Sequence, residues 1–233
     1  MTRTKILILC GGKGKRMRKY TKKTPKPMVK VGKSPIIQHK INYYKSQGFK
    51  NLILCVGYKA TKIRNFVKRK YPNVLFSNAG VNSGILKRVY HACKNFNSTV
   101  IITYGDTLAK INLTDLLKKH SKSKSQMTLV AAPIKNPFGI INWNIKNKVS
   151  SFDEKPILNH FIGYAVIEPT VFKYLNKNII NSKDGMGMVK AIKLLVSKKL
   201  VNVYKYNGLQ LTINSPNELK EARVKIGKYI TFN

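Results

Sequence analysis

Two short stretches hold residue types that handle phosphate. Residues 9–16 read L-C-G-G-K-G-K-R, and residues 24–28 read T-P-K-P-M. Gly11, Gly12 and Gly14 allow positive φ and close approach of a ligand to the backbone. Successive free N–H groups in such a loop cradle phosphate oxygens. Lys13, Lys15 and Arg16 surround the loop with positive charge. Pro25 and Pro27 stiffen the chain on both sides of Lys26, so one ammonium can be aimed at one phosphate. The loop matches neither G-x-x-x-x-G-K-[ST] nor G-x-G-x-x-G, because Met17 stands where the second needs glycine. Either stretch alone also reads as a surface turn with solvated lysines.

Carboxylates are scarce. The eight are Asp106, Asp115, Asp153, Glu154, Glu168, Asp184, Glu218 and Glu221, and a carboxylate-held divalent cation must choose among them. Asp106 follows the apolar run Thr99–Tyr104 and Gly105. Ligands of open α/β sheets bind beyond the carboxyl ends of strands, so this is a crevice position. No Ser-His or Cys-His constellation suggests a nucleophile. Cys10, Cys55 and Cys93 are odd in number and widely spaced, which reads as buried free thiols.

These groups need a scaffold, and the chain supplies one. Apolar runs at Lys5–Cys10, Asn51–Val56, Val74–Ser77 and Thr99–Tyr104 read as strands. Helical spacing over Pro35–Gln47, Thr61–Lys70, Ile85–Lys94 and Leu113–His120 alternates with them. Repeated β-α units predict an open, mostly parallel, Rossmann-like sheet flanked by helices. From Met127 the rhythm changes to strand-like runs broken by Pro, Gly and Asn, which predicts a smaller antiparallel β part. Helices are expected at Pro169–Leu175, Met186–Ser197 and Pro216–Ile230, the last capped by Ser215, and a late strand at 200–206. The 233 residues fit one domain, at roughly 100–200 residues per domain, with 1–125 and 126–233 as its two halves.

The balance of 45 basic against 8 acidic residues gives a net charge of +37. Such a chain attracts polyanions non-specifically. The lysines are spread along the chain without a basic tail or a basic-aromatic repeat, which does not favour specific nucleic-acid recognition. No run approaches the about 20 apolar residues that span a bilayer, so a cytoplasmic protein is expected.

Taken together, G-G-x-G-x-R-M after a first strand and P-K-P-M-V after it resemble the sugar-phosphate nucleotidyltransferases. The likeness continues through "VGKSPIIQHKINYYKSQGFKNLILCVGYK", "SGILKRVYHA", "IITYGDTL" and "VSSFDEKP", across most of residues 4–220. The wording is most similar to the branch that makes cytidine-activated glucose. The resemblance implies in-line attack of a sugar 1-phosphate on the α-phosphorus of an NTP, with CTP favoured, Mg²⁺ as cofactor and pyrophosphate released. It implies that Leu9, Gly11, Gly12, Gly14, Lys15, Arg16, Lys26, Gly84 and Gly105 hold the nucleotide. Arg16, Lys26 and Asp106 would carry catalysis, Asp106 with Mg²⁺. Gly139, Glu154 and Lys155 would take the sugar phosphate. Adjacent strand residues point to opposite faces, so Glu154 and Lys155 share a ligand only if the chain bends, as Pro156 allows.

The chain departs from the family at four places. Lys15 replaces a threonine, and Ile85 replaces an arginine of the cytidylyltransferases. Phe161-Ile162-Gly163 lacks the asparagine of the sugar site, and Thr212 stands where a second metal-binding aspartate is usual. The alternatives are a non-catalytic nucleotide- or nucleic-acid-binding protein on the same fold, another NTP, or a non-hexose acceptor. A homo-oligomer is compatible with the sequence.

Overall fold

The computed structural model describes residues 4–230. β1 (Lys5–Leu9) leads into a 3-10 turn at Lys15–Met17 and the short α1 (Arg18–Thr21). A second 3-10 turn, Lys26–Met28, precedes the small antiparallel pair β2 (Lys30–Val31) and β3 (Ser34–Pro35). Then follow α2 (Ile36–Ser46), β4 (Leu52–Val56), α3 (Ala60–Lys70), β5 (Leu75–Asn78), α4 (Ile85–Cys93) and β6 (Val100–Tyr104). β7 (Thr107–Ala109) and α5 (Leu113–Ser123) close the first half.

The second half contains β8 (Met127–Lys135), β9 (Ile140–Trp143), β10 (Val149–Asp153) and β11 (Ile157–Ile167). After a 3-10 stretch, Pro169–Tyr174, come α6 (Lys177–Ile180), α7 (Met186–Ser197), β12 (Val201–Lys205), β13 (Gln210–Thr212) and α8 (Pro216–Ile230). Seven strands form one sheet in the order β12-β8-β11-β6-β1-β4-β5. Every neighbouring pair is parallel except those of β11, which runs antiparallel to β6 and β8. The fold is thus α/β with a mostly parallel sheet flanked by helices, plus small antiparallel sheets.

Strand alternation sends the core to both faces. Ile6 and Ile8 pack with Tyr44, Val67, Tyr164 and Ile226 on one side, while Leu7 packs with Val89, Ile102 and Leu195 on the other. That burial on two faces explains why β1 and β4 read as continuous apolar runs. Strand order reverses at β1, since β4 and β5 lie on one side of it and β6 on the other. The crevice at the carboxyl ends of β1 and β6 is therefore the switch point where such sheets bind ligands.

Several elements were not expected. The chain just after the glycine loop folds into the 3-10 turn and α1. β7 and β13 pair across the chain, with Leu108 opposite Leu211. Three-residue strands carry too little periodicity to be read, and their partner is remote in sequence. Among the described residues no helix is long and apolar enough to cross a membrane. The three cysteines are free and buried, as expected.

Candidate active site

The glycine loop is moored at both ends. Leu9 O, at the end of β1, accepts from Gly105 N at 3.0 Å, which joins the loop to the turn after β6. Gly14 has φ +63°, and its carbonyl accepts from Met17 N at 3.0 Å and from Thr21 Oγ1 at 2.9 Å. Gly11 lies against Arg88 of α4: a Cβ there would sit 2.3 Å from Nη1 and 2.5 Å from Cζ. Arg88 is buried and donates to Val56 O at 2.8 Å and Val81 O at 3.0 Å, and burial lowers its pKa. This arginine ties the glycine loop, the end of β4 and the loop before α4 to one another. Sequence reasoning missed it, because nothing in "LKRV" marks which cation faces inward.

At the mouth of the crevice four side chains converge. Lys26 Nζ lies 2.6 Å from Asp106 Oδ2 and 2.8 Å from Asn214 Oδ1. Arg16 Nη2 reaches the same Asn214 oxygen at 3.0 Å. The stiff Pro25-Lys26-Pro27 turn delivers the lysine, and the turn after β6 delivers the aspartate. Asn214 is fixed from both sides. Ile213 N donates to Asp106 O at 2.9 Å, and Asn214 N donates to Glu218 Oε2 at 2.6 Å. Glu218 in turn takes the Ser215 cap, its N–H donating to Ser215 Oγ at 3.2 Å. This Ser-x-x-Glu start of α8 was legible; that it would aim Asn214 was not.

Behind the Asp106 turn lies a fully buried cation. Lys40 Nζ donates to Thr107 O at 2.5 Å and to Tyr164 Oη at 2.9 Å. Tyr44 Oη donates to Thr103 Oγ1 at 3.0 Å, so the network grips the chain before and after Gly105-Asp106. Burial pushes the Tyr164 phenol up, but the charge and hydrogen bond of Lys40, together with hydrogen bonds to Tyr44 and Thr103, outweigh it and leave it below its ordinary value. Tyr104, on β6, is pushed up to about 12 by burial and then by the Asp106 charge.

Two cavities meet at Asp106. The larger, 670 Å³, is lined on its near side by Leu9, Gly11, Gly12, Gly14, Lys15, Gly105 and Asp106. The smaller, 250 Å³, adds Arg16, Lys26, Pro27 and Asn214 to the shared glycine loop. Gly84 does not line either cavity, but its neighbours Ser83 and Ile85 line the larger one.

Other expected residues stand apart. Gly139, Glu154 and Lys155 cluster on the β9–β10 arm, where a Gly139 Cβ would lie 3.2 Å from Glu154 Oε2. Lys155 has φ +47°, so the chain does bend there, and Lys155 Nζ pairs with Glu154 Oε1 at 3.2 Å. None of the three lines either cavity. Thr212 lies on β13 opposite Thr107, one residue from Asp106. Leu211 and Ile213 are buried while Gln210, Thr212 and Asn214 are not, so these three share the other face.

Among the described residues no three His, Cys, Asp or Glu side chains gather to hold a metal. Mg²⁺ needs less, because it keeps several waters and is held by one or two carboxylates plus substrate phosphates. One carboxylate, Asp106, with the Asn214 amide oxygen bound to the same ammonium, fits such a cation arriving with a phosphate chain.

Residues 5–208 match the protein family described as nucleotidyl transferase. A probable glucose-1-phosphate cytidylyltransferase of Bacillus subtilis is 29% identical, over 94% of this chain and 94% of its own. A mannose-1-phosphate guanyltransferase of Pichia angusta is 26% identical, over 92% of this chain and 62% of its own. The crystal structure of HddC from Yersinia pseudotuberculosis, complexed with GMP-PN, has a TM-score of 0.72 at 20% identity, covering 95% of this chain and 99% of that one. This last likeness speaks for the fold.

Proposed function

The chain belongs to the nucleotidyl transferase family, and from that premise we propose that it joins an NTP, CTP in first place, to a sugar 1-phosphate and releases pyrophosphate. The observation that carries the reading is the meeting of Arg16, Lys26 and Asp106 beside the glycine loop, at the junction of two cavities. Such transfer asks little covalent chemistry of a protein and much positioning and charge stabilisation. Gly11, Gly12 and Gly14 present backbone N–H groups to the phosphates. Arg16 steadies the charge that grows on the leaving pyrophosphate. Lys26 leaves Asp106 and Asn214 for a phosphate oxygen. Asp106 and Asn214 are the groups that would hold Mg²⁺, which when bound neutralises phosphate charge. Glu154 and Lys155 meet the sugar side from the β9–β10 arm.

Thr212 in place of a carboxylate, and Phe161 at the sugar side, favour a second reading: a nucleotide-binding protein without turnover. Pyrophosphate release, measured with each of four NTPs against a panel of sugar 1-phosphates, separates the two. Turnover with one pair supports the enzyme. Nucleotide binding without release from any pair supports the second reading.

A further inference from the structure

The larger cavity has a far wall that the glycine loop does not build. Val81, Asn82, Ser83 and Ile85 come from the start of α4 and the loop before it, and Lys183, Asp184 and Gly185 from the segment before α7. The two segments are locked together. Ile85 N donates to Asp184 O at 2.7 Å, and a Cβ on Gly84 would lie 2.2 Å from Ser182 O. Backbone meets backbone there, so only glycine fits at 84. The wall is one surface made from two distant parts of the chain.

Most of its polar side chains are spoken for. Arg88 donates to Val56 O and Val81 O. Asn82 Oδ1 accepts from Lys13 Nζ at 3.2 Å, and Ser83 Oγ donates to Ala79 O. The Asp184 carboxylate has no protein partner among the described contacts, and the residue is exposed and lines the cavity. Its sign is also out of keeping with its surroundings. No acid precedes Asp106 in the sequence, and Asp106 is paired with Lys26. Asp184 is thus the uncommitted anion of a cavity in a +37 chain.

A bare carboxylate repels a phosphate chain. Arg16 and Lys26, which attract one, line the smaller cavity together with Lys15. Asp184 stands on the far wall of the larger one, where Lys183 is its neighbour and Lys13 and Lys15 belong to the glycine-loop side. That polarity orients a nucleotide with its phosphates toward Lys26 and its uncharged base toward Asp184. An ionised carboxylate only accepts hydrogen bonds. It suits an exocyclic amino group, as Asp and Glu suit the N4 amino group of cytosine. Uracil and thymine turn a carbonyl oxygen to the same place.

We infer that Asp184 is a specificity-determining residue that reads the base, and that this site takes an NTP with an exocyclic amino group, such as CTP or GTP, over UTP. The inference rests on the nucleotidyl-transfer reading above. A purely local reason for aspartate also exists: residue 184 has φ +48°, a conformation that Asp and Asn tolerate better than most. It also precedes α7, where an acid favours the helix dipole. Asp184→Asn keeps the backbone tolerance and removes the acceptor-only anion, so it tells these roles apart.

The test is calorimetric binding of CTP, GTP, ATP and UTP, with Mg²⁺, to the wild type, Asp184→Asn and Asp184→Ala, with thermal melts alongside. The wild type should bind an amino-bearing NTP about tenfold or more tighter than UTP, the order of one base-reading contact. Both variants should lose most of that ratio, and Asp184→Asn, whose amide can donate to a carbonyl, should gain UTP affinity. A ratio unmoved in both variants, or a wild type that prefers UTP, overturns the inference and leaves the family reading intact. A wild type that binds no NTP overturns both.

Discussion

Lys26 Nζ and Asp106 Oδ2 are 2.6 Å apart, so the cation that would meet a phosphate and the anion that would meet a metal are held on each other. Both are largely shielded, with side-chain exposures of 12% and 24%. A phosphate chain and its cation would have to exchange partners with this pair. Lys26→Met should therefore act in two directions. Mn²⁺ binding without nucleotide, followed by electron paramagnetic resonance, should tighten because Asp106 loses its competitor. Turnover should fall by about 10²–10³, the usual cost of one charge-stabilising donor. Unchanged turnover would remove Lys26 from the chemistry.

Asp106→Asn should abolish turnover, because among the described residues no other carboxylate lines the smaller cavity. Thr212→Asp adds a carboxylate at the end of β13, opposite Thr107 and two residues before Asn214. It should tighten Mg²⁺ binding, and the gain should shrink once a triphosphate supplies its own oxygens. Titration of Mg²⁺ with and without nucleotide checks this. No change in either titration would mean that Thr212 does not face the metal.

The sheet was legible because strands buried on both faces must be apolar throughout. Residues 6–8 and 52–56 announce themselves for that reason, and α7 has the bounds expected of it, Met186–Ser197. The gathering of the glycine loop and Lys26 at one crevice was legible too, since Gly11–Gly14 and Lys26 carry stiffness, charge and backbone freedom in adjacent stretches. The place of Asn214 was not legible, because it depends on β7 pairing with β13 and on Glu218 reaching back to its N–H. Lys40 was hidden for a related reason. A lysine in an amphipathic helix reads as solvated, yet this one is buried against Thr107 and Tyr164, partners remote in sequence.

The buried tyrosines give the protein a readable alkaline response. Burial pushes Tyr104, Tyr204 and Tyr206 up to about 12, with the Asp115 hydrogen bond adding to Tyr204. Unfolded tyrosine ionises near about 10. Between those values the unfolded chain loses protons that the folded chain keeps, so stability is full below about 10 and falls as pH rises toward 12. Tyr164 runs the other way, held below its ordinary value by Lys40. Absorbance at 295 nm should show one early-titrating tyrosine, most of the others delayed, and then cooperative unfolding. Lys40→Met should erase the early step. If the early step survives that substitution, Lys40 does not set the Tyr164 proton.

Arg88 and Gly11 offer a double-mutant test of how the glycine loop is held. Ala at position 11 would put its Cβ 2.3 Å from Arg88 Nη1. The guanidinium cannot retreat without giving up Val56 O or Val81 O. Overpacking of this kind costs about 1–3 kcal/mol. In a chain of this size each kcal/mol lowers Tm by about 2–4 °C. Gly11→Ala should therefore lower Tm by several degrees and weaken NTP binding. Arg88→Ala alone should also destabilise, by leaving two carbonyls short of donors. The two changes should not add, because the smaller side chain at 88 makes room for the methyl at 11. Residues in contact depart from additivity by about 0.5–3 kcal/mol, so denaturant melts of the four proteins can resolve the coupling. Simple additivity would mean that the loop yields to the methyl group elsewhere and that Arg88 does not brace it.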